Sequence, residues 1–467
     1  MIDRLAPYPE YRDSGLPWLG RYPQHWTLRR AKTLFHERVE KGYPQEPLLA
    51  ATQTKGVIKK EDYETRTVTA QKDLHLLKLV KVGDYVISLR SFQGGIEIAH
   101  HRGIISPAYT VLRPREEAAS GYYSHFFKSK QFIDSLSLFV TGIREGQNID
   151  YGRLSRAEMP LPPPEEQAAI VRFLDHANGK IDRFIRAKRK LIALLNEQKQ
   201  AIIHRAVTRG INPDAPLKPS GIPWLGDIPA HWNVRKVKTL VSTRGGMTPS
   251  KGNASFWGGD IPWVSPKDMK VPRIIDSKDH ITANAVRQTG IPLIQPPAVL
   301  IVVRGMILAR TFPTALTTVP VTVNQDMKAL VPKPMLNPGY FVSLLTGIRR
   351  DLLLLVEIAG HGTCCLRTDS WENFALPVPP VIEQSSIEQY LGAQLAAQNS
   401  AIARTEREIA LMQEYRTRLT ADIVTGKLDV RHAAAQLPEA PADTEMVVAP
   451  ESADETDILV DEETDAQ

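Results

Sequence analysis

The sequence predicts an α+β protein in which two duplicated mixed α/β units are separated by two long helices that pair as an antiparallel coiled coil, giving a pseudo-two-fold molecule. Three observations carry that expectation. Ser14-Gly15-Leu16-Pro17-Trp18-Leu19-Gly20 returns as Ser220-Gly221-Ile222-Pro223-Trp224-Leu225-Gly226, an offset of 206 residues. Each copy runs on into a His-Trp pair (His25-Trp26, His231-Trp232) and a basic stretch ending Lys32-Thr33-Leu34 or Lys238-Thr239-Leu240. A second duplication, offset by 217 residues, repeats a proline run with Glu-Gln, from Met159 to Gln167 and from Leu376 to Gln384, and each is followed by a long polar stretch. These offsets are far longer than the roughly 20–50 residues of a solenoid repeat, so the repeating object is a domain.

The polar stretches predict the long helices. From Glu165 to about Val207 there is no proline, and Ala, Leu, Glu, Gln, Lys and Arg dominate. Ile170, Ala177, Phe184 and Leu191 step by seven, as do Leu174, Ile181, Leu195 and Ile202 around interruptions at Lys188 and Gln198, which is a heptad seam. Gly179 in mid-helix costs roughly 1 kcal/mol against Ala. Gly210 and Pro213 end the helix, and Glu165-Glu166 suits its positive N-terminal end. At about 1.5 Å per residue, a helix of about 43 residues spans roughly 65 Å. The second helix is marked by Leu391, Ile402, Ile409, Met412 and Leu419, is interrupted by Gln394 and Gln398, and ends at Gly426. Two seams of matching length pair most simply with each other, although amphipathic helices packed on their own domains would look alike.

Between the helices the chain reads as strand-rich. Gly83–Leu89, Ile104–Leu112, Ala298–Val303 and Val319–Val323 have buried-strand composition. Gly94-Gly95, Gly245-Gly246 and Gly258-Gly259 read as turns, and short helices are expected over Tyr122–Phe139 and Pro338–Val356.

Charge bounds the function. The formal net charge is +6, yet beyond Arg431 there are 11 acidic residues and no Lys or Arg, which leaves 58 basic and 41 acidic residues on the first 431, a net charge of +17. A body that basic suits a polyanion, and the acidic end reads as disordered. Cys364 and Cys365 offer neither zinc spacing nor a disulfide framework, which points to a reducing, cytoplasmic compartment. The start of the chain lacks a signal-peptide pattern, and no apolar run approaches the roughly 18 residues of a membrane span. There is no Gly-x-x-x-x-Gly-Lys-Ser/Thr loop, no Gly-x-Gly-x-x-Gly, no Asn/Asp-Pro-Pro-Tyr/Phe run and no recognisable carboxylate pair; His100-His101 lack a third metal ligand nearby. The expectation is a binding subunit with no catalytic residue and no metal.

The positive signal is polar side chains in turns that follow strands. Arg90, Ser91 and Gln93 do this in the first unit, as do Arg304, Asn324, Gln325 and Lys328 in the second. Arg144, Gln147 and Asn148, and later Thr363 and Arg367, precede the two proline runs. Arg and Gln pair bidentately with guanine and adenine edges, while Lys55, Lys59, Lys60, Arg244, Lys251 and Lys267 suit phosphates. Each of the turn residues fits a satisfied turn about equally well, and each of the phosphate candidates alone is more often an ordinary solvated charge.

Taken together, the paired Ser-Gly-x-Pro-Trp-Leu-Gly starts, Ile87–Gly95 with Ser106-Pro107-Ala108-Tyr109, Val303-Arg304-Gly305 with Asn324–Met327, and the doubled proline–Glu-Gln helices resemble the DNA-specificity subunits of type I restriction-modification systems. The resemblance implies target-recognition domains at 1–158 and 214–375, a proline run and spacer helix at 159–213 and again at 376–430, and an acidic tail at 431–467 outside the family pattern. It implies a bipartite duplex-DNA site, one half read by each domain. It also implies methyltransferase subunits, two in number, that use S-adenosylmethionine, and restriction/motor subunits that use ATP and Mg, with no cofactor on this chain. An enzyme with an unrecognised site and a coiled-coil scaffold without sequence preference are the alternatives.

Overall fold

The computed structural model describes residues 5–53, 55–62, 73–89, 91–118, 121–141, 148–359 and 362–438. It divides into two compact units, one made of Met1–Arg186 with Glu408–Gln467 and the other of Ala187–Arg407, so each long helix contributes one half to each unit.

In the first unit the Ser-Gly-Leu-Pro-Trp-Leu-Gly motif is the turn of a hairpin between Tyr11–Asp13 and Arg21–Pro23. Ser14 N donates to Gly20 O at 3.0 Å and Gly20 N to Leu16 O at 2.9 Å. The next strand, Thr27–Arg30, pairs antiparallel with Glu158–Leu161, which leads into the first long helix, so the globular part is zipped shut where it begins and ends. Between lies a four-stranded antiparallel sheet in the order Phe35–Glu37, Thr110–Pro114, Tyr85–Ile87, Glu97–Ile98. The run Ile104–Leu112 is two strands, Gly103–Ile105 and Thr110–Pro114, because Ser106–Tyr109 turns the chain. Tyr122–Phe139 is three short helical pieces whose rings, Tyr122, Tyr123, Phe126, Phe127 and Phe132, fill the core.

The second unit repeats this construction. Ser220 N donates to Gly226 O at 3.0 Å, and Asn233–Lys236 zips to Ala375–Val378. Its sheet runs Val241–Gly245, Met327–Pro332, Val299–Val302, Thr314–Thr317, Arg273–Ile274, with the last pair parallel. The strand Val299–Val302 is buried on both faces, which explains its unbroken Val-Leu-Ile-Val composition. Gly258-Gly259 is not a free turn: it lies inside the strand Trp257–Val264, at a register shift against Asp279–Ile281.

The long helices are Pro164–Arg209 and Val381–Val424. Each ends at a left-handed glycine, Gly210 and Gly426, both at φ +77°, the conformation that stops a helix and disfavours any side chain. In the first unit Ile170, Phe173, Leu174 and Ala177 share a core with Leu419, Ile423 and Val424, and Arg416 pairs with Asp182 further along. In the second, Ile203, Ala206 and Val207 share a core with Ile387 and Leu391, and Lys199 Nζ donates to Asn399 Oδ1 at 2.6 Å. Rising numbers on one helix meet falling numbers on the other in both units, so the halves are antiparallel within each.

The seam departs from the sequence reading at its middle. Ile170, Leu174 and Ile181 are buried, and Phe184, Leu195 and Ile202 are half-buried, but Leu191 is 41% exposed and Ile192 takes its place. The first seven-residue series continues through Ile192, Lys199 and Ala206, one residue later. A straight helix drifts by about 20° per heptad, so a 3.5-residue seam must slip after a few repeats. On the second helix Leu391 and Leu419 are buried, and Ile402, Ile409 and Met412 half-buried. Gln394 points to solvent, whereas Gln398, Thr405 and Arg416 occupy the inward positions.

What joins sheet to helix is a carboxylate in the first turn of each helix. Glu166 accepts from Trp26 Nε1 at 2.8 Å and from the Tyr8 hydroxyl, and lies 2.7 Å from His25 Nε2. Glu383 accepts from Trp232 Nε1 at 3.0 Å and lies 2.6 Å from His231 Nε2. The neighbouring Gln167 and Gln384 each donate at 2.9 Å to a proline carbonyl five residues back, Pro162 and Pro379. The side chain of Glu166 is 4% exposed and that of Glu383 is 23% exposed. Glu166→Ala strands buried donors and should cost ~2–4 kcal/mol, against ~1–2 kcal/mol for Glu383→Ala. Denaturant unfolding of the two variants checks the order; equal losses would contradict it.

Candidate nucleic-acid interface

In the second unit, one end of the sheet gathers several of the residues singled out by sequence. Arg304 follows the strand Val299–Val302 and is exposed; Val303 N donates to Asp326 O at 2.8 Å and Gly305 N to Cys364 O at 2.9 Å. Arg244, exposed, lies opposite Ala329, and Gly245 opposite Lys328. Gly246 lies so close to the Val323 carbonyl that an added Cβ would sit 1.8 Å from its oxygen, and Met247 N donates to that oxygen at 3.0 Å. This contact holds the segment after Arg244 against the Asn324–Lys328 turn, where Thr248 Oγ1 donates to exposed Gln325. Arg304 and Gln325 therefore issue from adjoining turns at one end of the sheet, where the paired strands carry Arg244 and half-buried Lys328 on opposite faces.

Other residues have different tasks. Asn324 is buried: its Oδ1 accepts from Asp326 N and its Nδ2 donates to Asp326 Oδ2, both at 3.1 Å. It builds the turn instead of facing a ligand. Ser91 is likewise buried and accepts from Ser88 N at 2.8 Å. Lys267 pairs with Asp279 at 2.6 Å, and exposed Arg367 lies 3.5 Å from Glu357 and 3.6 Å from Asp369, surface pairs that bind a side chain only weakly. Thr363 sits at the tip of the hairpin Val356–Ile358 with Cys364–Leu366, next to the Arg304 backbone through the Arg304–Cys365 bridge. Lys251 is exposed in a separate loop.

In the first unit Arg90, Arg144 and Gln147 lie outside the described residues, as do His361 and the acidic stretch after residue 438. Asn148 pairs through its backbone with Thr141. Gln93 is exposed on a single helical turn, Ser91–Gly94, where the sequence suggested an open turn; Gly95 follows it at φ +83°. Lys55 is half-buried at the tip of the hairpin Leu49–Thr52 with Gly56–Lys59. Sequence reasoning passed over Gln53 and Lys128 here and Thr248 in the other unit. Thr248 follows the Gly245-Gly246 pair, which could have flagged it; nothing marked Lys128.

No group of three or more His, Cys, Asp or Glu among the described residues is placed to hold a metal ion, and no described helix is long and apolar enough to cross a membrane.

Residues 229–409 match the family described as the type I restriction modification DNA specificity domain. Over that segment the chain is similar to this family. It is 32% identical over 264 residues to the type I restriction enzyme EcoR124I/EcoR124II specificity subunit of Escherichia coli, covering 56% of this chain and 61% of that one. It thus spans about three-fifths of that relative's length. A putative type I restriction enzyme MjaX specificity subunit from Methanocaldococcus jannaschii is 21% identical over 441 residues, 88% of this chain and 96% of the relative. A solved chain from work on complex assembly and conformational transition of the type I R-M system shares the fold with a TM-score of 0.61 at 17% identity, over 87% of this chain and 99% of that one.

The first unit also holds a buried titratable carboxyl. Burial pushes the Glu97 carboxyl up to about 7 from its ordinary 4.5, against the opposing pull of Lys128. A carboxyl with a raised folded value holds its proton more tightly when folded, so the stability it gives is full below its ordinary value and is lost as pH rises through about 7. Glu97→Gln should therefore gain on the wild type between about pH 5 and about pH 8. Denaturant midpoints at both pH values test this; an unchanged gap would contradict it.

Proposed function

We propose that this chain is the DNA-reading, non-catalytic subunit of a type I restriction-modification complex. Each unit reads one half of a bipartite duplex site through the turns at its sheet end. The two long helices set the distance between the readers and dock the partners: methyltransferase subunits that use S-adenosylmethionine, and restriction/motor subunits that use ATP and Mg. The observation that carries this reading is the second-unit rim, where exposed Arg304 and Gln325 come from adjoining turns and exposed Arg244 and half-buried Lys328 from the strand ends beside them. Rigid backing matters because a bidentate pair with a base edge tolerates little displacement. Arg and Gln offer the donor and acceptor patterns that guanine and adenine present in the major groove, and the lysines offer charge to phosphates. The net +17 of the first 431 residues supports the polyanion.

Two readers on one frame turn two short words into one rarer word, since only a site that engages both gains the effective concentration of the second contact. The first unit offers Gln93 and Lys55 for this task, and Arg90, Arg144, Gln147 and Asn148 are assigned to it from sequence.

Base contact and phosphate contact make different predictions. Arg304→Ala or Gln325→Ala should cost about 1–3 kcal/mol at one half-site and leave the other intact. Lys251→Ala should weaken all duplexes alike and reduce the slope of log affinity against log salt by about 1. Titrations of matched and half-mismatched duplexes over a salt series separate the two. A uniform loss for Arg304 and Gln325 would assign them to the backbone and remove the support for base reading there.

A further inference from the structure

We propose that Lys128 is the positioning residue that locks the two base-facing loops of the first unit to each other, an inference that rests on the DNA-reading function proposed above. Lys128 lies in the turn between the short helices Tyr122–Phe126 and Lys130–Ser135. Its ammonium donates to the carbonyl of Gly94 at 2.8 Å, to the carbonyl of Gln53 at 3.0 Å, and to the Glu97 carboxylate. An ammonium has three N–H donors, so all of its capacity is committed inside the protein, and this lysine is not a phosphate contact.

The acceptors come from separate elements. Gln53 is at the tip of the hairpin that also carries Lys55. Gly94 closes the helical turn that carries Gln93. Glu97 belongs to a strand of the central sheet and is 2% exposed. The two loops also touch directly: a Cβ added at Gly94 would sit 2.8 Å from Gln53 Cγ. Exposed Gln53 and Gln93 therefore project from loops whose backbones hang on one ammonium, and that ammonium is anchored to the sheet by the buried Glu97 carboxyl. The second unit secures the loop after its corresponding strand differently: Val303 N and Arg304 N donate to Asp326 O at 2.8 and 3.3 Å, and Gly305 N donates to Cys364 O at 2.9 Å. A buried lysine tether to two loop carbonyls thus belongs to the first reader, and the second serves as an internal control.

Losing the tether should blur the first word without changing the charge presented to phosphates. Removing the lysine alone would leave Glu97 buried without its partner, a destabilising change in its own right. The informative variant is therefore the double substitution Lys128→Met with Glu97→Gln, which removes cation and anion together. Lys128→Arg keeps the charge and the donors.

The experiment is selection of a randomised double-stranded DNA pool by the full-length chain, with sequencing of the bound fraction and unfolding midpoints measured alongside. In the double variant, base discrimination at two or three positions of one word should fall on the order of tenfold. The other word, and affinity for a duplex lacking both words, should stay within about twofold. Lys128→Arg should restore most of the lost discrimination. Both words unchanged in a folded double variant would overturn the proposal, and so would an equal loss on every duplex, which would mark a general role in folding or charge. A wild-type chain that selects no word would overturn the DNA-reading function and this inference with it. Wild type and double variant selecting the same words would overturn this inference alone.

Discussion

A carboxylate in the first turn of each long helix ties this molecule together. Glu166 takes the indole N–H of Trp26, the Tyr8 hydroxyl and the His25 ring nitrogen; Glu383 takes the indole N–H of Trp232 and the ring nitrogen of His231. The helix N-terminus favours an anion there, and the donors orient it. Burial of Tyr8 beside Glu166 pushes the phenol's pKa upward, so the hydroxyl stays a donor. The donors precede the first strand of the closing pair and the carboxylate follows the second, so one cluster fixes the globular part, the zipped strands and the helix axis together. Gly426 packs its backbone on Trp26, and Gly210 packs on Trp232, which brings the end of the opposite helix to the same cluster within each unit. The repeated words in the sequence are the parts of this joint.

For that reason much of the frame was legible. His-Trp, Pro-Pro and Glu-Gln recur because a joint made of an indole, an imidazole and a carboxylate cannot change one member alone without leaving a buried group unpaired. Helix ends were legible because glycine at positive φ is a strong local constraint. The middle of the seam was not. A seven-residue count assigns Leu191 inward, but accumulated drift over several heptads moves Ile192 there, and only the three-dimensional path shows where the slip falls. Thr405 and Arg416 were invisible as inward residues because the count considered apolar side chains alone. Arg416 is tolerated there by pairing with Asp182.

The rim was only half legible, for a physical reason. Asn, Gln and Ser after a strand either build the turn or face outward, and composition does not separate the two. Asn324 and Ser91 build, while Gln325 and Gln93 face out. Lys128 lies in no motif at all, since its partners are two backbone carbonyls and a carboxylate brought together by the fold. The units differ most in such features. The first has an aromatic core around Tyr122 to Phe132 and an aliphatic satellite at Leu49, Val57 and Val80; the second has a mainly aliphatic core and an aromatic-bearing satellite at Phe256, Trp263 and Ile281. A constant joint with divergent rims is the arrangement expected of two readers that share a frame and recognise different words.

The central proposal is that the two units each read one half of a split site, and its most direct measurement is affinity as a function of the gap between the two words. Duplexes that carry both selected words, separated by every gap over a full helical turn of about 10 base pairs, are titrated with the full chain. The account predicts one preferred gap, with affinity at the others falling towards that of a single word. Equal affinity at all gaps, or full affinity for a duplex with one word alone, would contradict it.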